Sequence, residues 1–247
     1  MAATDATDAT APSVSRCLSF DVGIKNLAFC IIDINASTPL VVDAPFPENM
    51  RDRAGIVDWQ VVVACDAKHP TMTEVSDGLF ARLDEIHDAH GAPDIVLIEN
   101  QPCIRNPVMK TVQVMIYSYY VLMGKSKQTN CPCRVVFVNA GLKLTGLCTS
   151  REYRVRKKAA ILAAASYLTA WNVRGQPHIE GVKPMKAKKR DDLADCLLQA
   201  LQWLRREHEG PPPRSRAPRT PRKRRTTSAE VVGNASEGGD PRPTAAS

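Results

Sequence analysis

Four acidic side chains stand beside apolar runs, where a carboxylate is costly. Asp21 lies inside Leu18-Ser19-Phe20-Asp21-Val22-Gly23, a run that reads as a strand. Strands disfavour Asp, and a buried carboxylate pays a large desolvation penalty unless something pairs with it. Glu99 ends a second apolar run, Ile95-Val96-Leu97-Ile98. Asp192 and Asp195 open a helical pattern in Asp191-Asp192-Leu193-Ala194-Asp195. If the two strands lie side by side, Asp21 and Glu99 meet at one sheet edge, and the helix can bring Asp192 or Asp195 to them. Clustered carboxylates cannot all stay ionised without cations, and oxygen-only ligands favour magnesium or manganese. Two such ions about 4 Å apart would activate a water and stabilise the leaving oxygen of a phosphodiester. Some of these acids also have a plainer account. The helix dipole favours Asp191 and Asp192 in a first turn, and Glu99 could simply mark a strand end. Asp21 is the hardest to explain by capping.

The elements that must position these residues are legible as periodicities. Cys17 to Val22, Leu27 to Ile34 and Val57 to Cys65 read as three strands of an antiparallel meander, the first two joined by a tight turn holding Gly23 and Asn26. Val75, Leu79, Leu83 and Ile86 give helical spacing across Thr73 to His90. Asp94 to Glu99 is a buried strand. Asn106-Pro107 opens a helix running to Met123, and Arg134 to Val138 is a fifth strand. Ser150 to Trp171 is helical with Ser150 as cap, and a last helix runs from Arg190 to Glu207. This order predicts an α/β fold, a mixed five-stranded sheet with helices on both faces. On the last helix Leu193, Leu197, Leu201 and Leu204 form one stripe. Asp195 falls at its core-side edge, whereas Asp192 must act from the first turn, with Asp191 as a rival.

The 247 residues carry a net charge of +7. From Gly210 onward eight basic residues face three acidic ones, so five of the seven charges fall there. This stretch is rich in Pro, Arg and Ser and has no core-forming pattern. The expected organisation is an unstructured segment 1–15, a folded domain 16–209 and an unstructured basic tail 210–247. Pro221-Arg222-Lys223-Arg224-Arg225 is compatible with a nuclear address or with added DNA affinity. No run of roughly 18 apolar residues predicts a membrane span. The first residues lack the basic start and apolar middle of a secretory signal. The eight cysteines therefore read as reduced intracellular thiols. Cys131-Pro132-Cys133 lacks the second ligand pair that zinc requires.

A basic cluster, Arg151, Arg154, Arg156, Lys157 and Lys158, sits at a helix start, with Lys143 in a Gly-containing loop just before it. Cations there oppose the helix dipole, and phosphate contact is the purpose that would offset this cost. A solvated charged face is the simpler account. His87 and His90 read as a solvated pair. Tyr117, Tyr119 and Tyr120, with Met109, Met115 and Met123, make one helix apolar nearly all round, either as core or as a dimer interface.

Three motifs in order, Asp21-Val22-Gly23-Ile24-Lys25-Asn26, Ile98-Glu99-Asn100-Gln101-Pro102 and Lys188-Lys189-Arg190-Asp191-Asp192-Leu193-Ala194-Asp195, resemble those of the Holliday-junction resolvases of poxviruses and related large DNA viruses. They also resemble the yeast mitochondrial resolvases and, more distantly, bacterial RuvC. The resemblance spans about Arg16 to Leu204 and takes in the basic segment 151–158. It implies an RNase H-like fold, a homodimer, branched DNA as partner and two magnesium ions, with manganese able to substitute. By position it implies Asp21, Glu99, Asp192 and Asp195 as catalytic metal ligands. If the source is viral, the host cytoplasm or nucleus is the expected compartment. The proline-rich tail and the region 39–56 depart from the pattern. Rival readings are a nuclease of the same fold acting on RNA–DNA hybrids or flaps, a DNA-binding protein without catalysis, and a sugar-kinase or actin-like ATPase. The ATPase would need a second phosphate loop, which the chain lacks.

Overall fold

The computed structural model describes residues 14–40, 44–104, 106–126, 133–172 and 190–209. The strands are β1 (Val14–Asp21), β2 (Leu27–Asn35), β3 (Ala54–Val62), β4 (Ile95–Glu99) and β5 (Arg134–Val138). The helices are α1 (Met72–His90), α2 (Pro107–Ser126), α3 (Tyr153–Asn172) and α4 (Arg190–Glu209), with short 3-10 turns at Glu48–Met50 and Leu142–Leu144. The element order is the expected one. β1 begins at Val14, so two residues assigned to the leading segment pair with β2. α3 begins at Tyr153 rather than Ser150. Ser150 Oγ accepts from the Glu152 amide, and Glu152 carbonyl takes the first helical bond from Arg156, so the cap lies later. The expectations for residues 1–13 and 210–247, for Cys131-Pro132, and for Lys188 and Lys189 fall outside the described residues.

The sheet order is β3-β2-β1-β4-β5. β1, β2 and β3 form the antiparallel meander, and β4 and β5 add in parallel. Helices on both faces explain why the central strands read as nearly continuous apolar runs. Alternation sorts their side chains. Leu18, Phe20, Ile31, Val96 and Ile98 pack with α1 and α2, whereas Cys17, Ile32 and Leu97 pack with α3 and α4. Residues two apart share a face. Asp21 therefore shares the face of Cys17 and Ser19, and Glu99 that of Leu97. The β1–β4 register, with Phe20 opposite Ile98, brings the two acids level at the strand ends.

α1 buries the four residues its periodicity picked out, Val75, Leu79, Leu83 and Ile86, and starts with a Thr71–Glu74 capping box. His90 does not sit in solvent as expected, because its Nε2 is 2.8 Å from Asp58 Oδ2 on β3. α4 is buried more completely than a single stripe implies, since it lies between the sheet, α3 and the turn at Leu142–Leu144. Its amides and backbone are bolted to the sheet. Ser19 Oγ donates to the Cys196 carbonyl at 2.8 Å, Gln199 Nε2 donates to the Phe20 carbonyl at 3.2 Å, and Trp59 Nε1 donates to the Leu193 carbonyl at 2.8 Å.

The turn after Asp21 is held from below. The Ala64 amide donates to the Ile24 carbonyl at 2.9 Å, and α1 crosses Ala64 at Gly78. A Cβ at Gly78 would lie 1.8 Å from the Ala64 carbonyl oxygen. In an open helix Gly→Ala stabilises by about 1 kcal/mol. Here the overlap is with backbone, which cannot rotate away, and overpacking of this kind costs about 1–3 kcal/mol. Gly78→Ala should therefore lower the melting temperature, against the helix-propensity trend; an unchanged or raised midpoint by calorimetry would contradict this packing.

Candidate active site

The site is assembled from two strand ends, a helix and a 3-10 turn. Asp21 ends β1 and Glu99 ends β4, both facing α4. One turn into α4, Asp195 leaves the core-side edge of the helix, as its angular position predicts. Lys143, in the Leu142–Leu144 turn, fills the point between them. Its Nζ is 3.1 Å from Asp21 Oδ1, 3.2 Å from Glu99 Oε2 and 3.2 Å from Asp195 Oδ2. A cavity of about 260 Å³ opens beside this cluster, and Asp191, Asp192 and Arg156 also line it.

Expected among the phosphate-gripping cations, Lys143 instead has a side chain only 4% exposed and spends its charge inward. Its place explains this, because the turn that carries it packs on α4, with Leu142 and Leu144 buried on either side. A lysine flanked by two leucines was the available signal of burial. Arg151, Arg154 and Lys158 are exposed, as phosphate contact requires. Arg156 is half-buried at the cavity. Lys157 is committed elsewhere, since its ammonium is in close contact with the Asp191 carboxylate and lies 4.7 Å from the Tyr153 ring centre. Asp191 is thus tied to α3, while Asp195 turns to Lys143.

Electrostatics follow from the crowding. Burial pushes the Asp21 carboxyl up to about 7; the contact with Glu99 adds to this, and the Lys143 ammonium pulls the other way. Burial also raises Asp195, again against the pull of Lys143. For Lys143 burial opposes the charge, but Asp21, Asp195 and Glu99 together outweigh it and raise its pKa. One buried ammonium thus serves three half-buried carboxylates, which leaves surplus negative charge and oxygen-only donors. In donor type and charge this set fits a hard divalent cation. Among the described residues no three His, Cys, Asp or Glu are spaced to hold a metal as they stand. The point on which the carboxylates converge is taken by Lys143.

A meander continued by two parallel strands, with helices on both faces, is an RNase H-like fold. Residues 16–207 match the family of the Poxvirus A22 protein, and the chain belongs to that family, the poxvirus resolvases. The yeast mitochondrial Holliday junction resolvase Ydc2 shares the fold. It is 18% identical over 82% of this chain and 84% of its own, with a TM-score of 0.52. The fowlpox virus resolvase, solved with its substrate Holliday junction DNA, is 15% identical over 77% and 97%, with a TM-score of 0.46. The uncharacterized protein L451 of Acanthamoeba polyphaga mimivirus is 22% identical over 182 residues, or 69% of this chain. This chain spans only 43% of the length of that relative.

Two metal-free measurements test the charge arrangement. Lys143→Met leaves three partly buried carboxylates without their shared cation and should destabilise the fold, by less than the roughly 3–5 kcal/mol of a fully buried ion pair broken from one side. The readout is the denaturant midpoint in chelator. The second is the pH slope. An unfolded aspartate titrates near 4, and Asp21 in the fold near 7. Between those values the folded state holds a proton that the unfolded chain has lost, so Asp21 makes stability fall as pH rises. Asp21→Asn should flatten that part of the profile, and an unaltered slope would show that Asp21 is not the group responsible.

Proposed function

We propose that this chain is a structure-selective endodeoxyribonuclease that resolves four-way DNA junctions by paired nicks. The observation that carries the reading is the meeting of Asp21, Glu99 and Asp195 in one cavity that Asp192 also lines. Asp21, Glu99, Asp192 and Asp195 are the residues that would hold two divalent ions, magnesium with manganese as substitute. When bound, such ions supply activation of the attacking water and a countercharge for the leaving 3′ oxygen. The protein's own contribution is placement. β1 and β4 fix two acids by register, and the hydrogen bonds of α4 to the sheet fix the third. Lys143 keeps the cluster from repelling itself apart. Arg151, Arg154 and Lys158, exposed at the start of α3, supply phosphate contacts that seat the backbone over the cavity.

Paired nicks on opposed strands call for two active sites, and so for a homodimer. The outer face of α2 supports one. Val108, Val114, Tyr117 and Leu122 are exposed there, and Tyr117 packs against the equally exposed Phe137 of β5. Tyr120 of the same helix is core, so on this reading the buried side of α2 is packing and its exposed apolar side is the dimer face.

The primary test is a synthetic four-way junction incubated with and without magnesium. Wild type should cut it only with the metal. Asp21→Asn should lose turnover by orders of magnitude while still binding the junction, because its phosphate contacts lie elsewhere. Asp191→Asn should cost much less. Preferential cutting of an RNA–DNA hybrid or a flap would reassign the substrate, and binding without cutting would remove the catalytic reading. Changing Arg151, Arg154 and Lys158 together to Ala should weaken junction binding, flatten its salt dependence and leave thermal stability within about 0.5 kcal/mol. An unchanged dissociation constant at moderate salt would place the DNA on another face.

A further inference from the structure

Glu99 is fixed by more than its strand. Gln113, on α2, is wholly buried, among Val112, Ile116 and Tyr120. A buried amide on an otherwise apolar helix face is costly unless its bonds are made. Its Oε1 accepts two of them, from the Gln101 amide at 2.8 Å and from Lys110 Nζ at 3.1 Å. Lys110 Nζ also donates to Asn100 Oδ1 at 3.0 Å, and the Asn100 amide donates to the Val138 carbonyl of β5 at 2.8 Å. The two residues that follow Glu99 are therefore pinned on both sides. Gln101 then turns its side chain back, and its Nε2 lies 3.3 Å from Glu99 Oε2. That oxygen is the one facing Lys143 at 3.2 Å. Among the described residues Gln113 Nε2 has no hydrogen-bond partner, so only the acceptor end of the amide is used there.

We propose that Gln101 and Gln113 are positioning residues that aim the Glu99 carboxylate at a bound divalent ion, Gln101 by direct donation and Gln113 by holding Gln101. The inference rests on the metal assignment of Glu99 given above. The physical reason is preorganisation. A glutamate has several torsions to freeze on binding a cation, and a fixed donor on one oxygen removes much of that freedom beforehand. A polar side chain in the α2 core makes sense on these terms, because an apolar residue of similar volume would pack there without an unpaired N–H.

Mn²⁺ binding to the full chain, followed by the EPR signal of the free ion, separates this role from a structural one. Gln101→Met removes the donor to Glu99, and Gln113→Leu removes the anchor but fills the same space. Each should weaken Mn²⁺ binding about tenfold or more, the usual effect of removing a group that orients a ligand. Without metal both should melt close to wild type. Gln113→Glu keeps both acceptor contacts, its charge offset by Lys110, and should retain the affinity. Wild-type Mn²⁺ binding by both Gln101→Met and Gln113→Leu overturns the proposal. So does weakening confined to Gln113→Leu and accompanied by a lower melting temperature, since that is a folding defect. Glu99→Gln reports on the underlying assignment. If it abolishes Mn²⁺ binding that the two variants retain, the relay alone falls. If it leaves binding intact, the metal role of Glu99 falls, and the relay with it.

Discussion

A single buried ammonium shared by three carboxylates sets the terms for the rest of this structure. At an effective dielectric near 20, two unit charges about 4 Å apart attract by about 4 kcal/mol, while each desolvated ion costs several kcal/mol. Lys143 offsets those costs only if all three partners reach it at once, at 3.1–3.2 Å. Such a cluster cannot tolerate slippage. A one-residue shift in the β1–β4 register would turn Asp21 or Glu99 to the opposite face, toward α1 and α2. The long apolar ladders of β1, β2 and β4 are what make that shift prohibitive.

The same demand explains how α4 is mounted. An apolar helix on an apolar sheet could slide or rotate at little cost, because hydrophobic burial has no direction. Ser19, Gln199 and Trp59 supply the direction, with hydrogen bonds, two buried and one part-buried, that fix the axial position of α4. Its first turn then presents Asp191 and Asp192, and the next turn Asp195, on the side of the strand ends. The dipole of α4 favours acids there, and that of α3 disfavours the cations at its own start. The Lys157–Asp191 contact joins the two helix starts, so each charge excess serves as counterion to the other.

The sequence carried much of this, for identifiable reasons. Asp21 was conspicuous because nothing local explains an acid inside a strand. The angular position of Asp195 at the edge of a leucine stripe foretold its direction. Element order followed from periods of 2 and 3.6, which survive in sequence because both sheet faces are covered. Lys143 was read as a surface cation because its role depends on three partners 44 or more positions away in the chain, and no local pattern encodes them. His90 was misplaced for the same reason, since its partner Asp58 lies across the α1–β3 packing. Helix starts were off by a few residues where Ser150 caps a bend instead of the helix. Gln113 was invisible because a lone glutamine in an apolar helix looks like surface until its neighbours are known.

A negative pit is a poor place to bring DNA unless the charge is divided in space. The stretch 16–209 carries a net charge of +4, segment 1–15 carries −2 and the tail +5. Long-range attraction of a polyanion to the folded part is therefore weak on average. Local concentrations must add to it, and the start of α3 brings Arg156 and Lys157 to the lining of the cavity. Lys143 acts at shorter range, lowering the charge of the pit from within. Seen from a phosphate a Debye length away, about 8–10 Å at ordinary salt, the rim cations and the buried carboxylates largely cancel. At contact distance they separate again, and on the proposed function the backbone would be drawn to the rim with one phosphodiester over the carboxylates. On the proposed function, the surplus negative charge has a use that neutrality would forfeit, because it would let the pit recruit hard cations where a scissile bond is held.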